Sequence, residues 1–423
     1  MQQITRKQLA EGVFLTCLST TRFKTSVLSA AAVLPVTQEN ALAALLPQVL
    51  ARGTARCPDM ESLGVELDRL YGARILPFVR KVGENLSVGF LSDVIDGTYA
   101  AAGEDLTGHT IELLAELWNA PYRTEDGTLC PEYTAAEGKN LMNKILGLKN
   151  DTRSYAVRRM QEIMCEGEPF GWCEYGSAEA ARTASASDLT AFWQDTLQHA
   201  PLELFYCGSA PAEQIEAAFR AAFAARTGGR QAAQAVLRPA PAQPRTVIEE
   251  MDVQQGKLSL GFRTGITGGD AAYPALMLFV TAFGGYTGSR LFRQVREKMS
   301  LCYYASATMN KHKGIVSVSS GIENSNFETA RDEILRQLAQ MQDGLTEDEL
   351  EGARRTLLGS LQAMNDAPAS LEWYFQSQAI GGWKDGLDEL CDALTRATRD
   401  EVLAAGRTMQ LDTIYFLKGV AQA

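Results

Sequence analysis

Apolar and polar positions along the chain follow two periods that exchange several times. Ala41–Leu50, Glu61–Leu70 and Leu106–Leu117 place apolar residues three and four apart, the spacing of a helix with one buried stripe. Asn85-Leu86-Ser87-Val88-Gly89-Phe90 and Ile315-Val316-Ser317-Val318-Ser319 alternate with period two, as half-buried strands do. Ser26–Leu34 and Lys257–Phe262 are short apolar runs consistent with buried strands. Phe327–Met341 and Glu347–Leu361 read as two helices. Between them lies Asp343-Gly344-Leu345-Thr346, a helix stop followed by an N-cap with Glu349 three residues on.

These elements occur twice in the same order. Ser26–Leu34, Ala41–Leu50 and Gly53-Thr54 in the first half match Lys257–Phe262, Tyr273–Phe283 and Gly284-Gly285 in the second. Both halves also finish alike. A helix beginning near Asp188 leads to the strand Leu202–Gly208, and one beginning near Asp400 leads to Thr413–Gly419 after almost the same number of residues. A period this long implies a duplicated domain, not a solenoid. Pro239, Pro241 and Pro244 crowd a stretch opened by Gly228-Gly229 and poor in apolar residues, which marks an extended linker at 229–246 between halves 1–228 and 247–423. The expected fold is α+β: two similar halves, each an antiparallel-rich sheet with helices packed on one face, enclosing a cavity.

Composition narrows the function. Of 423 residues, 46% are hydrophobic and 22% charged, as in folded globular proteins. With 40 Lys and Arg against 51 Asp and Glu, the net charge of −11 argues against nucleic acid as a partner. The longest apolar runs, Val27–Val36 and Ala271–Phe283, fall short of the ~20 residues a membrane helix needs, and the opening segment lacks the apolar core of a secretory signal. Eight scattered cysteines without a CxxC pair read as reduced thiols, so the expected compartment is the cytoplasm. His109, His199 and His312 stand apart from one another and from any metal-ligand spacing, and each reads as a solvated surface residue. Neither a GxSxG elbow nor a phosphate-binding GxxxxGK[ST] loop occurs. Gly284-Gly285-Tyr286-Thr287-Gly288 reads as a tight connection after a helix, since no strand precedes it.

The segment that follows is specific. Gly284-Gly285-Tyr286-Thr287-Gly288-Ser289-Arg290-Leu291-Phe292, then Arg296-Glu297-Lys298 and Leu301-Cys302-Tyr303, closely resembles the second-domain signature of the pitrilysin/insulinase-type zinc peptidases, which include the mitochondrial processing peptidase. The duplicated halves and the linker extend the resemblance over the whole chain. In that family a first-domain His-x-x-Glu-His stands nine residues before a Gly-Thr pair; its histidines hold zinc and its Glu activates water. Counting back from Gly53-Thr54 places that motif on Ala44-Leu45-Leu46-Pro47-Gln48. Ala44 and Gln48 replace the histidines and Pro47 the base. Lys144, or its neighbour Asn143, stands where the resemblance puts the third ligand, a glutamate. The resemblance therefore implies no zinc in this chain, and Pro47 is expected to kink its helix.

The family's substrate-gripping Arg and Tyr fall on Arg296 and Tyr303. A guanidinium and a phenol can hold peptide carbonyls; equally, the two residues read as a helix-surface cation and a half-buried strand residue. The resemblance implies a non-catalytic subunit, peptidase-like in fold, that offers peptide-binding surface to a zinc-bearing paralogue in a heterodimer acting on unstructured peptides. Zinc is then expected only in the partner. The alternatives are a stand-alone peptide-binding or scaffold protein with no proteolytic role, and a homodimer.

Overall fold

A computed structural model describes residues 3–101, 103–223 and 229–420. In chain order the elements are β1 (Gln3–Ala10), β2 (Val13–Ser19), β3 (Thr25–Pro35), α1 (Ala41–Leu50), α2 (Met60–Arg69), β4 (Arg74–Val82), β5 (Asn85–Ile95), α3 (Leu106–Asn119), α4 (Pro131–Gly147), α5 (Thr152–Met164), α6 (Ala178–Thr183), α7 (Ala186–His199), β6 (Leu202–Gly208) and α8 (Ala212–Phe223). Then come β7 (Arg245–Met251), β8 (Gly256–Arg263), α9 (Tyr273–Gly284), β9 (Cys302–Asn310), β10 (Ile315–Ile322), α10 (Phe327–Asp343), α11 (Glu347–Met364), α12 (Pro368–Gly381), α13 (Leu387–Arg396), α14 (Arg399–Gly406) and β11 (Gln410–Gly419).

The duplication is plain in the strand orders. One sheet runs β1-β2-β6-β3-β5-β4 and the other β7-β11-β8-β10-β9. Without β1 the two are the same arrangement. The last strand of each half (β6, β11) pairs in parallel with β2 or β7 and antiparallel with β3 or β8, and the remaining pairings are antiparallel. The α+β architecture with antiparallel-rich sheets is the one the periodicities predict.

Two compact units divide the chain. The first holds Met1–Leu146, Trp172–Gln234 and Asn365–Ile380; the second holds Gly147–Gly171, Ala235–Met364 and Gly381–Ala423. A cut at 229–246 does not describe these units, because each includes a helix from the other half of the sequence.

In the first unit, Leu28, Ala30, Ala32 and Leu34 of β3 and Leu86, Val88 and Phe90 of β5 face a core shared with α1, α3, α7 and α8. Trp118 meets Phe90 edge to face at 5.7 Å and donates to the Ala30 carbonyl at 3.1 Å. The alternate residues face α12. There Val33 and Val82 pack against Ile380, the Ser87 hydroxyl donates to Gln376 at 2.9 Å, and Arg80 pairs with the fully buried Glu372 at 2.7 Å. Asn85 holds Ala233 through two 2.8 Å bonds.

The second unit repeats this plan. Leu258, Leu260, Phe262, Val316 and Val318 are buried, α9 packs on β9, and α5 lies against β8 and β11. The inner face of α5 places Tyr155, Met160 and Met164 beside Ile315, Tyr415 and Leu417. Gly261 makes that approach feasible, since a Cβ there would collide with the sulfurs of Met160 and Met164. Each sheet thus carries a layer of helices on one face and a single helix on the other.

Beneath this sheet sits a buried ionic cluster. Glu168 accepts from Arg263 Nη2 at 2.7 Å and lies 2.7 Å from Lys313 Nζ, while Arg263 Nε reaches Asp412 at 2.7 Å. Lys313 also donates to the Val236 carbonyl at 2.5 Å, fixing part of the proline-rich stretch to this unit.

The histidines divide. His109 is exposed near the start of α3, and His199, the last residue of α7, pairs with Asp195 at 2.9 Å. His312 corrects the surface expectation: it stacks on Trp383 at 4.6 Å, and burial, aided by Lys311, pushes its pKa down to about 3. Among the described residues, no helix is long and apolar enough to cross a membrane.

Candidate functional site

In the first unit, α1 is apolar on nearly every side, and only Leu42 and Gln48 escape full burial. The Asn40 side chain ties its entry, accepting from Thr37 N at 2.8 Å and donating to the Thr37 and Cys173 carbonyls at 2.7 Å. Pro47 does not end the helix. The Ala51 amide reaches the Pro47 carbonyl at 3.1 Å, and the element continues to Leu50. Pro47 supplies no N–H for the Ala43 carbonyl one turn back, and it is itself buried, so the surrounding packing holds the helix through it.

Helix α4 is tied to both ends of α1. Arg52, just past α1, pairs with Glu137 at 3.1 Å and lies over the Tyr133 ring at 5.1 Å. Lys144 Nζ lies 4.2 Å from the Tyr175 ring centre. The next residue, Gly176, has a left-handed φ of 70° and presses against the Ala41 amide so closely that a Cβ would not fit. Lys144 is thus linked to the start of α1 only through Tyr175 and its neighbour Gly176.

The donor chemistry does not fit zinc. Ala44 offers a buried methyl, Gln48 a neutral amide and Lys144 an ammonium engaged with an aromatic face, while Pro47 has no proton acceptor on its side chain. Asn143, the neighbouring candidate, is exposed. Among the described residues, no three His, Cys, Asp or Glu side chains converge as a metal site.

In the second unit the signature segment builds a groove. Helix α9 ends at Gly284, where a Cβ would strike the Ala307 amide of β9, so glycine permits the close packing of that helix end on the strand. A short connection follows, as the glycine-rich run predicts. Arg290 anchors it by a bidentate pair with Glu349 at 2.7 and 2.6 Å. Glu349 also accepts from Thr346 N at 3.0 Å and donates its amide to Thr346 Oγ1 at 3.3 Å, the capping arrangement expected there. Phe292–Lys298 is a π-helical turn, widened so that the Met299 amide reaches the Gln294 carbonyl at 3.1 Å. Ser300, at a left-handed φ of 52°, redirects the chain into β9.

The register then aims the tyrosine. Tyr304 pairs with Gly321 and Cys302 with Ile322, leaving Tyr303 as the extra residue of a β-bulge. A bulge re-aims a side chain, and Tyr303 is 59% exposed, so it is not the half-buried strand residue of the alternative reading. Its hydroxyl donates to Glu323 Oε1, and this bond holds the phenol above the usual tyrosine range.

Arg296, from the π-helical turn, packs its guanidinium over the Phe292 ring at 4.5 Å and lies 3.6 Å from Glu297 Oε1. Arg296 and Tyr303 line one concavity of about 410 Å³, together with Glu297, Ser300, Cys302, Glu323 and Asn326. The pair named from sequence therefore shares a surface. The two glutamates were not singled out from sequence. Glu297 stands inside the quoted Arg-Glu-Lys run; Glu323 comes beside Tyr303 only through the pairing of β9 with β10.

Comparison with known proteins shows the family. Residues 183–357 match the family model described as the peptidase M16 inactive domain, a stretch that includes Arg296 and Tyr303. The chain is 31% identical over 97% of its length to the Bacillus subtilis protein called probable inactive metalloprotease YmfF, covering 97% of that protein. A conserved protein from Enterococcus faecalis superposes with a TM-score of 0.90 at 24% identity, with 99% of each chain covered. A structure described as a peptidase M16 inactive domain from Pseudomonas fluorescens superposes at 0.83 and 19% identity over the full length of both chains.

Proposed function

Since the chain belongs to the M16 peptidase family and is a homologue of its inactive metalloproteases, we propose that it is a non-catalytic subunit that grips unstructured peptide and acts beside a zinc-bearing paralogue. One contrast carries this reading. The positions of the zinc ligands and base hold Ala44, Gln48, Lys144 and Pro47, whereas Arg296 and Tyr303 stand together at an accessible groove. A chain that had lost every role would have no reason to keep only the half that touches substrate.

In this reading the chain holds no zinc; the metal belongs to the partner. Arg296 supplies a planar fork of donors and Tyr303 one phenolic O–H, both suited to the carbonyl oxygens of an extended peptide. Their part is to hold the peptide in place. Water activation is left to the partner, because no side chain at Pro47 can take a proton.

The test on the purified chain has three readouts. Metal analysis is expected to give no stoichiometric zinc, and peptides are expected to survive incubation with and without chelator while a fluorescently labelled unstructured peptide binds reversibly. Tightly bound zinc with chelator-sensitive cleavage would overturn the non-catalytic reading. Peptide binding by a chain that forms no complex with any zinc-bearing paralogue would favour the stand-alone binding protein instead.

A further inference from the structure

We propose that Glu323 and Tyr303 form a two-part grip for one extended peptide residue: the phenol donates to the residue's C=O while the carboxylate accepts its N–H. The inference rests on the peptide-binding reading above and deepens it.

Three observations carry it. First, the β-bulge at the start of β9 turns Tyr303 out of the sheet, and the strand pairing sets Glu323 directly after Ile322, the partner of Cys302. Second, the Tyr303 hydroxyl already donates to the Glu323 carboxylate. A phenol has one proton to give, so while Glu323 holds it, Tyr303 offers a ligand no donor. A peptide carbonyl can take that proton only if the released carboxylate finds another donor. An extended residue meets this demand because its N–H and C=O point to the same side of the backbone.

Third, the groove's charges disfavour other ligand classes. Arg296 is accompanied by two carboxylates, Glu297 and Glu323, around the same concavity. A ligand bringing only acceptors, such as a phosphate or an isolated carboxylate, would leave Glu323 facing a like charge with no donor. A peptide residue exchanges for the internal bond and leaves no polar group unmatched.

The experiment measures anisotropy of a fluorescein-labelled unstructured peptide with the full chain and the variants Glu323→Ala, Tyr303→Phe and the double variant. Glu323 is exposed, so its removal disturbs no core. Each single variant is expected to weaken binding by roughly tenfold, the scale of one hydrogen bond to a charged group. The double variant should weaken it little further, because the two side chains act as one device. A second readout follows the phenolate absorbance of Tyr303, isolated by subtracting the Tyr303→Phe curve. Its midpoint should lie above the ordinary tyrosine value and return toward about 10 in Glu323→Gln. This readout reports the internal Tyr303–Glu323 bond that the peptide must displace, and the part played in binding is read from the anisotropy. Wild-type affinity in Glu323→Ala, fully multiplicative losses in the double variant, or an unmoved Tyr303 midpoint would each overturn the proposal while leaving peptide binding intact. A wild-type chain that binds no peptide would instead overturn the functional reading, and this one with it.

Discussion

Replacing Glu168 by glutamine tests how the second unit holds the strands that carry the groove. Glu168 is 1% exposed and faces two buried cations, Arg263 and Lys313, each 2.7 Å from its carboxylate. Burial alone would raise its pKa, but the hydrogen bonds from Arg263 and Lys313 outweigh that and hold it below the usual glutamate range. Glutamine keeps the shape and one acceptor but removes the charge. Arg263 then keeps Asp412 as its charged partner, and the wholly buried Lys313 ammonium loses its 2.7 Å pairing with Glu168 while still donating to the Val236 carbonyl. Removing one partner of a buried pair costs about 3–5 kcal/mol, and since glutamine still accepts a hydrogen bond we take the lower end, about 3 kcal/mol. For a unit of this size that lowers the melting temperature by roughly 6–12 °C.

The matched control is Glu166→Gln, which breaks the exposed 3.0 Å pair with Arg245 and should cost under about 1 kcal/mol. Adding Lys313→Met to Glu168→Gln removes the buried cation whose pairing with Glu168 is gone and should recover part of the loss. Scanning calorimetry at pH 7 decides the matter. Equal melting temperatures for Glu168→Gln and Glu166→Gln would refute the reasoning, as would further destabilisation by Lys313→Met.

Two other outcomes follow from particular residues. His312, held near 3 when folded, binds its proton mainly in the unfolded chain; its contribution is therefore present above about 6.5 and lost as pH falls toward 3. Urea titrations at several pH values should show His312→Gln losing less stability than wild type across that window, and parallel losses would contradict the assignment. Restoring histidines at Ala44 and Gln48 should yield neither bound zinc nor peptidase activity, because Lys144 and Pro47 still stand at the third ligand and base and Ala44 has no room for a ring; metal analysis showing one zinc per chain would overturn that.

Much of the fold could be read from periodicity because the helices and strands agree with their local patterns. Ala41–Leu50 forms a helix over the predicted residues, and Asn85–Phe90 begins a strand whose alternate residues face opposite layers. What could not be read is which sheet an amphipathic helix covers. The apolar stripe of α5 shows that it is buried, but its fit to Gly261, far along the chain, is a property of packing. The same holds for α12 and its buried Glu372, whose partner Arg80 lies in the other half of the sequence. At the groove, Arg296 and Tyr303 were legible through the signature. Glu323 was not, since its approach depends on one extra residue in β9 against β10. The stacking of His312 was hidden for a like reason, as Trp383 belongs to a distant segment.

The most direct measurement of the central claim is peptide turnover by this chain co-purified with a paralogue bearing His-x-x-Glu-His, comparing wild type with Arg296→Ala and Tyr303→Phe. The account predicts that both variants still co-purify while turnover of an unstructured peptide falls by roughly 10²–10³, the scale of one lost donor to a carbonyl oxygen in the transition state. Wild-type turnover in both variants, or failure of any complex to form, would contradict it.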